Sequence, residues 1–300
     1  HHFQNGFMQQ DGDVNLMKAA IVCSDRVTTV SQTYAQEIQT AFYGFRLDAV
    51  LRWNQGKVCG IVNGIDVDAF NPETDPHLFK NYGINSLDDK KVNRSELLKM
   101  CGLEASDETM VIGMVGRLTS QKGLDLVQCV LNDILEKDVR MIVLGTGDYD
   151  YEQMFMRAKW EHPDKISTNI MFSADLANKI YAGCDLFLMP SLFEPCGLAQ
   201  MIAMRYGTLP LVRETGGLKD TVQPYNQFTG EGTGFSFANY NAHEMLHVIE
   251  EAAALFRHDQ KAWRQMQCNA MNRDFSWDRS AQAYIDLYPV SYTHLRAHET

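Results

Sequence analysis

The sequence has no uninterrupted apolar run near the roughly 18–20 residues that a bilayer-spanning helix requires, so a helical membrane protein is not expected. It also lacks an excess of positive charge. Its 27 Lys and Arg face 38 Asp and Glu, for a formal charge of −11. General affinity for nucleic acid or an anionic membrane is therefore not expected, although a local basic site for a small anion is compatible with that balance. Seven cysteines (Cys23, Cys59, Cys101, Cys129, Cys184, Cys196 and Cys268) are scattered, odd in number and contain no CxxC pair. Neither a zinc site nor a disulfide framework follows from them, and a reduced, cytoplasmic compartment fits best. No secretory signal is evident. What is present is 45% hydrophobic and 22% charged residues over 300 positions, the balance of a soluble globular chain of about two domains.

Along the chain, VNLMKAAIVCSDRVTTV (14–30) passes from a helical pattern into a β-rich stretch, and Ser31 is the expected N-cap of a helix over SQTYAQEIQ. KVCGIVNGID (57–66) predicts a short buried strand ending in an Asn-Gly turn. Residues 66–109 hold prolines, glycine and many charges without a sustained period, and are expected to be a linker or excursion. From 110 to about 260 the pattern becomes regular. The apolar runs TMVIGMVGRL, VRMIVLGTGD, STNIMFSA, DLFLMPS and TLPLVRE alternate with helical segments such as LDLVQCVLNDILEK and LANKIYAGC. Continuous apolar strands alternating with helices predict a parallel sheet covered on both faces, a Rossmann-like α/β domain. The tail 289–300, PVSYTHLRAHET, matches none of this and reads as a non-native addition. His294 and His298 stand four apart, as metal ligands sometimes do, but a tail without function is the better account.

Three motifs stand at successive strand ends. In GRLTSQKG (116–123), Arg117 and Lys122 place two cations where open α/β sheets bind ligands; they suit a diphosphate whose leaving oxygen needs neutralising. A solvated loop with two surface cations is the alternative, at about even odds for the motif alone. In FEPCGLAQMIAMRYG (193–207), Glu194 could accept hydrogen bonds from sugar hydroxyls, and the amides of Cys196, Gly197 and Leu198 could face the same site. Taken alone, Glu194 is better explained as an acid at a helix start, and Cys196 as a packing residue than as a nucleophile. In RETGGLKDTV (213–222), Thr215, Gly216 and Gly217 lead into a helix and could form an anion site, or simply a capped turn. GTGDYD (145–150) lacks the third glycine of a dinucleotide fingerprint, and its two acids are ordinary for a helix start. GEGTG (230–234) is expected to be a flexible turn.

TVSQTYAQEI, IVNGID, GRLTSQKGLDLV, LFEPCGLAQMIAMRYGTLPLVRETGGLKDTV and DFSW occur in an order that resembles the bacterial glycogen synthases and plant starch synthases, over roughly 14–288. The resemblance implies the GT-B architecture, two Rossmann-like lobes around a cleft. It implies transfer of glucose from ADP-glucose to the non-reducing end of an α-1,4-glucan, with retention and with no metal or other cofactor. Carried onto this chain, Arg117 and Lys122 would hold the diphosphate and stabilise departing ADP, and Glu194 would bind hydroxyls of the transferred glucose. Cys196, Gly197 and Leu198 would line the same pocket. Thr215, Gly216 and Gly217 would contact the distal phosphate and sugar, and Phe172 would stack on adenine. The family's N-terminal KTGGL-type loop and first-lobe histidine have no counterpart here.

The implied organisation is a remnant of the acceptor-side lobe (1–65), the linker (66–109), and a donor lobe with a terminal crossover helix (110–288). DFSW (274–277) would begin that helix. Such a chain is expected to bind nucleotide while making little glucan alone. It would act in the cytoplasm, or in a plastid if its source is a plant. Three other readings remain open: a related retaining transferase using UDP-glucose, a non-catalytic nucleotide- or glucan-binding module, and, more distantly, an oxidoreductase.

Overall fold

The structure, a computed structural model, describes residues 6–298, and side chains from 6 to 288. The chain divides into two compact units, one comprising Ile65–Phe275 and the other the residues up to Gly64 together with those from Ser276.

In the smaller unit, β1 (Gln9–Gln10) and β2 (Asp13–Val14) form an antiparallel hairpin followed by α1 (Leu16–Cys23). β3 (Val27–Thr29) pairs in parallel with β4 (Val58–Gly60). Between them lie α2 (Gln32–Glu37) and α3 (Asp48–Trp53). Ser31 caps α2 as expected, its hydroxyl accepting from the Tyr34 amide at 2.9 Å. The strand expected at 57–66 is shorter and only half-buried.

In the larger unit, α4 (Lys90–Met100) precedes six strands. They are β5 (Met110–Val115), β6 (Val139–Leu144), β7 (Ile166–Asn169), β8 (Leu186–Met189), β9 (Leu209–Arg213) and β10 (Phe235–Phe237). The connecting helices are α5 (Leu124–Glu136), α6 (Tyr149–Glu161), α7 (Ala174–Gly183), α8 (Ala199–Arg205) and α9 (Gly216–Thr221). After β10 come α10 (Ala242–His258) and α11 (Gln260–Met271), and α12 (Trp277–His298) returns to the smaller unit. All pairings in the sheet are parallel and the order is β10-β9-β8-β5-β6-β7. Counted from its first strand this is 3-2-1-4-5-6, the doubly wound order whose direction reverses between β5 and β8.

The strands are legible as apolar runs because both faces are covered. Met110, Val111 and Ile112 are fully buried in β5, as are Leu186 and Phe187 in β8. Each side chain of that size contributes about 1.5–3 kcal/mol on burial. Residues 66–109 are not a linker: they belong to the larger unit, and α4 packs along α7. Leu97 and Leu98 supply its apolar contact, while Asn93 and Lys90 are also buried. The Lys90 ammonium donates to the carbonyls of Tyr181 and Ala182 at the end of α7 and to the Thr208 hydroxyl. Of the expected tail, the backbone to 298 continues α12, and the side chains of His294 and His298 lie outside the described residues.

Candidate active site

β5 and β8, the pair at which strand order reverses, end side by side, and the loops that follow them carry the first two motifs. They enclose a cavity of about 100 Å³ lined by Gly116, Arg117, Lys122, Ser191, Glu194 and Leu198, among others. A larger depression of about 1110 Å³ opens at the opposite, amino edge of the sheet, bordered by Glu108 and Asp185, and contains none of the motif residues.

The two loops are locked together. After β5 a single 3-10 turn, Ser120–Lys122, leads into Gly123, whose φ is 73°. A Cβ there would lie 2.0 Å from the Pro190 carbonyl oxygen, so both the left-handed backbone and the contact demand glycine. Gln121 bridges the loops twice: its carbonyl accepts from the Leu192 amide at 2.9 Å, and its side-chain amide donates to the Phe193 carbonyl at 3.3 Å.

This brings Lys122 Nζ to 2.5 Å from Glu194 Oε2. The same oxygen accepts from the Ser191 hydroxyl at 3.2 Å. Glu194 is buried, and its Oε1 has no protein partner among the described residues. Arg117 is exposed at the mouth, with no carboxylate partner among the described residues and one long contact, 3.5 Å, to the Gln121 side chain.

Of the three amides expected from FEPCGL, those of Gly197 and Leu198 belong to residues that border the cavity, and a residue not foreseen holds their peptides. Gln200 is fully buried, and its side-chain nitrogen donates to the carbonyls of Cys196 and Gly197 at 3.1 and 2.9 Å. In a trans peptide the C=O and the following N–H point in opposite directions. The N–H groups of Gly197 and Leu198 therefore face away from Gln200, and no protein acceptor among the described residues takes them. Both residues line the cavity. Cys196 is buried behind them, which fits a packing role.

The third motif spends two of its three amides within the protein. Thr215 donates its amide to the Arg213 carbonyl, and Gly217 donates to the Glu194 carbonyl at 3.0 Å, so neither amide is open to a ligand. Thr215, Gly216 and Gly217 are all buried. A Cβ on Gly216 would meet the Glu194 carbonyl oxygen at 2.1 Å, and one on Gly217 the Cys196 oxygen at 2.0 Å. The glycines let this turn pack flat against the FEPCG loop. Gly145 and Gly147 of GTGDYD do the same for the loop after β5: a Cβ would meet the Gly116 oxygen at 1.9 Å and the Leu118 oxygen at 2.2 Å. Phe172, just beyond β7 at the same edge of the sheet, is 93% exposed. Among the described residues no cluster of three or more His, Cys, Asp or Glu could hold a metal ion. None of the seven cysteines is in a disulfide, and no described helix is long and apolar enough to cross a membrane.

The sequence model of the family described as Glycosyl transferases group 1 matches residues 102–270, which spans the sheet and every motif above. The chain belongs to this family. A second family model, the starch synthase catalytic domain, matches residues 1–53. Among curated relatives of this chain, one from Clostridium acetobutylicum called Glycogen synthase is 52% identical over 288 residues, 96% of this chain and 60% of its own length. A Bacillus cereus protein of the same name is 51% identical over 287 residues, again 60% of its length. The chain thus spans about 60% of the curated relatives it matches. Among solved structures, the catalytic domain of starch synthase IV from Arabidopsis thaliana, bound to ADP and acarbose, superposes with a TM-score of 0.88 at 35% identity. That match covers 96% of this chain and 62% of the other. Anabaena HepE in complex with UDP and glucose shares the fold alone, at TM-score 0.62 and 19% identity over 90% of this chain and 64% of its own. The fold is that of the GT-B glycosyltransferases, as the motifs led one to expect.

Proposed function

We propose that the chain forms the donor half of a retaining glucosyltransferase that takes glucose from ADP-glucose and adds it to the non-reducing end of an α-1,4-glucan. The observation that carries this is the convergence, at one sheet edge, of two cations, two unpaired amides and a half-tethered carboxylate. Relatives named glycogen synthase at 52% identity, and a starch synthase at 35% identity bound to ADP and acarbose, support the choice of nucleotide and acceptor.

Each part has a chemical task. Arg117, Lys122 and the amides of Gly197 and Leu198 would hold the diphosphate. They would stabilise it most as the bond to the anomeric carbon breaks and negative charge collects on the leaving oxygen, with no metal or organic cofactor in the scheme. Glu194 would accept hydrogen bonds from the glucose hydroxyls through Oε1. Its other oxygen is held by Lys122 and Ser191, which lowers its electron density and makes it a poor nucleophile. Retention by double displacement would need a free carboxylate beneath the anomeric carbon. We therefore favour same-face transfer, in which the acceptor hydroxyl passes its proton to the departing phosphate as it attacks. Phe172 would stack on the adenine. Seven cysteines without a disulfide fit a reducing, cytoplasmic setting.

Calorimetric titration of the purified chain with ADP, and with UDP in parallel, tests the donor reading. Binding of ADP in preference to UDP, lost in Arg117→Ala or Lys122→Ala, is the expected result. Preference for UDP would move the chain to another donor class, and ADP binding indifferent to both substitutions would displace the site.

A further inference from the structure

Four consecutive carbonyls lead into and include Glu194, and each is taken by a donor from elsewhere in the fold. Phe193 O accepts from the Gln121 side chain and Glu194 O from the Gly217 amide. The other two, Ser191 O and Leu192 O, accept from one residue, Arg213: its Nε lies 2.8 Å from Ser191 O, and its Nη2 bonds Leu192 O. The segment has neither helix nor strand, so these bonds, together with that of the Leu192 amide to Gln121, hold its path. Arg213 is the last residue of β9, and it is buried. Its guanidinium lies over the Tyr240 ring, 5.5 Å from the centroid, and the Tyr240 hydroxyl is bonded to Asp125 at the start of α5. A buried cation at the end of an apolar strand is costly unless its donors are satisfied. Here the planar fork reaches two adjacent carbonyls at once, which a lysine ammonium on a flexible stem cannot reproduce with the same fixed geometry.

We infer that Arg213, braced by Tyr240, is a positioning residue that sets the Glu194 carboxylate for the transferred sugar. The inference rests on the proposed role of Glu194 as the sugar's hydroxyl acceptor. Its consequence is selective. The diphosphate groups stand on the loop after β5 and on the Gly197–Leu198 amides, which Gln200 aims independently. Loss of Arg213 therefore loosens the grip on glucose while sparing the grip on ADP.

The test is calorimetry on the full chain with ADP and with ADP-glucose, read as the ratio of the two dissociation constants, for the wild type, Glu194→Gln, Arg213→Lys, Arg213→Met and Tyr240→Leu. Glu194→Gln is expected to shift the ratio at least about fivefold. Both Arg213 variants should shift it in the same direction by a similar factor, with ADP affinity kept within about twofold. Tyr240→Leu, which leaves the guanidinium in place, should give a smaller shift of the same sign, and it decides the matter if the Arg213 variants do not fold. An unchanged ratio in the Arg213 and Tyr240 variants, beside a shifted one in Glu194→Gln, overturns the inference. So does an equal loss of ADP and ADP-glucose binding. An unchanged ratio in Glu194→Gln itself would instead bring down the reading of Glu194, and the inference with it. Full retention of the ratio in Arg213→Lys would show that charge alone suffices, which also contradicts it.

Discussion

Lys122 Nζ sits 2.5 Å from Glu194 Oε2, and the pair joins the loop after β5 to the loop after β8 across the point where strand order reverses. The lysine side chain is 24% exposed and the carboxylate 9%, so water screens the contact only in part. Each partner also has a second task in the proposed site, which makes the pair testable twice. Lys122→Ala should weaken ADP binding by roughly tenfold or more, the value of a lost charge-assisted bond. It should also cost on the order of 1–3 kcal/mol of stability, because Glu194 is left buried with only Ser191 as partner. Glu194→Gln in the same background removes that stranded charge. In denaturant melts the double variant should therefore be more stable than Lys122→Ala alone, and strict additivity would mean that the pair is not coupled in solution.

The contact between Gly123 and the Pro190 carbonyl predicts a sharp positional contrast. Gly123→Ala places a Cβ 2.0 Å from that oxygen and in left-handed backbone, so we expect a loss of about 3 kcal/mol or more, or a failure to fold. Gly116, seven residues earlier on the same loop, has nothing within 4 Å of its hypothetical Cβ. Gly116→Ala should melt within about 0.5 kcal/mol of the wild type. Equal melting curves for the two variants would contradict the interlocked-loop geometry.

Phe172 separates binding from folding. At 93% exposure it contributes almost nothing to the core, so Phe172→Ala should leave the melting temperature unchanged. If the ring stacks on adenine, the same change should weaken ADP by about 1–3 kcal/mol, while Phe172→Tyr keeps the affinity. An ADP isotherm for Phe172→Ala that overlays the wild type would remove Phe172 from the site.

These residues also show what the sequence could and could not disclose. β5, β6, β8 and β9 were legible because burial on both faces leaves a continuous apolar run, and the loops at their carboxyl ends then located Arg117, Lys122 and Glu194. α4 was hidden for the opposite reason: two of its buried positions are Lys90 and Asn93, whose polar ends meet carbonyls, so the apolar period is broken. Thr215-Gly216-Gly217 was legible as a place of close approach; that the backbone of Glu194 and Cys196 is what packs against Gly216 and Gly217 was not. Gln121 and Gln200 carry no local signal, since their importance lies in carbonyls of another loop or of their own helix's preceding turn. Arg213 had a signal in principle, a cation closing an apolar strand, but only the fold reveals which carbonyls it serves.

Gln200 offers a test of the amide site that leaves every charge in place. Gln200→Leu keeps the volume but removes the donor that holds the Cys196 and Gly197 carbonyls, so those peptides are free to rotate their N–H groups out of the cavity. ADP affinity should fall about fivefold to tenfold, the scale of one or two hydrogen bonds of ordinary strength. Adenosine, which has no phosphate, should bind as before. If adenosine and ADP weakened together, the amides would not be serving the diphosphate.

Lys90 predicts a pH dependence away from the site. Its ammonium is fully buried beneath α7, and desolvation pushes its pKa down to about 8, partly offset by the nearby Asp185. In the unfolded chain a lysine titrates near 10.4. Between these values the unfolded state binds more protons than the folded one, so this residue's contribution to stability rises with pH through that window and is lost as pH falls through about 8. Cys184 and Tyr181 are held neutral by burial, and their thiol and phenol pull the other way once the unfolded chain ionises them. The measurement must therefore be a difference: urea melts of the wild type and Lys90→Met from pH 7 to 10. The wild type should gain on the variant as pH rises, by an amount on the order of 1–3 kcal/mol. A difference that stayed flat across that range would mean that Lys90 keeps its proton, and that the carbonyls of Tyr181 and Ala182 stabilise the ammonium more than its burial penalises it.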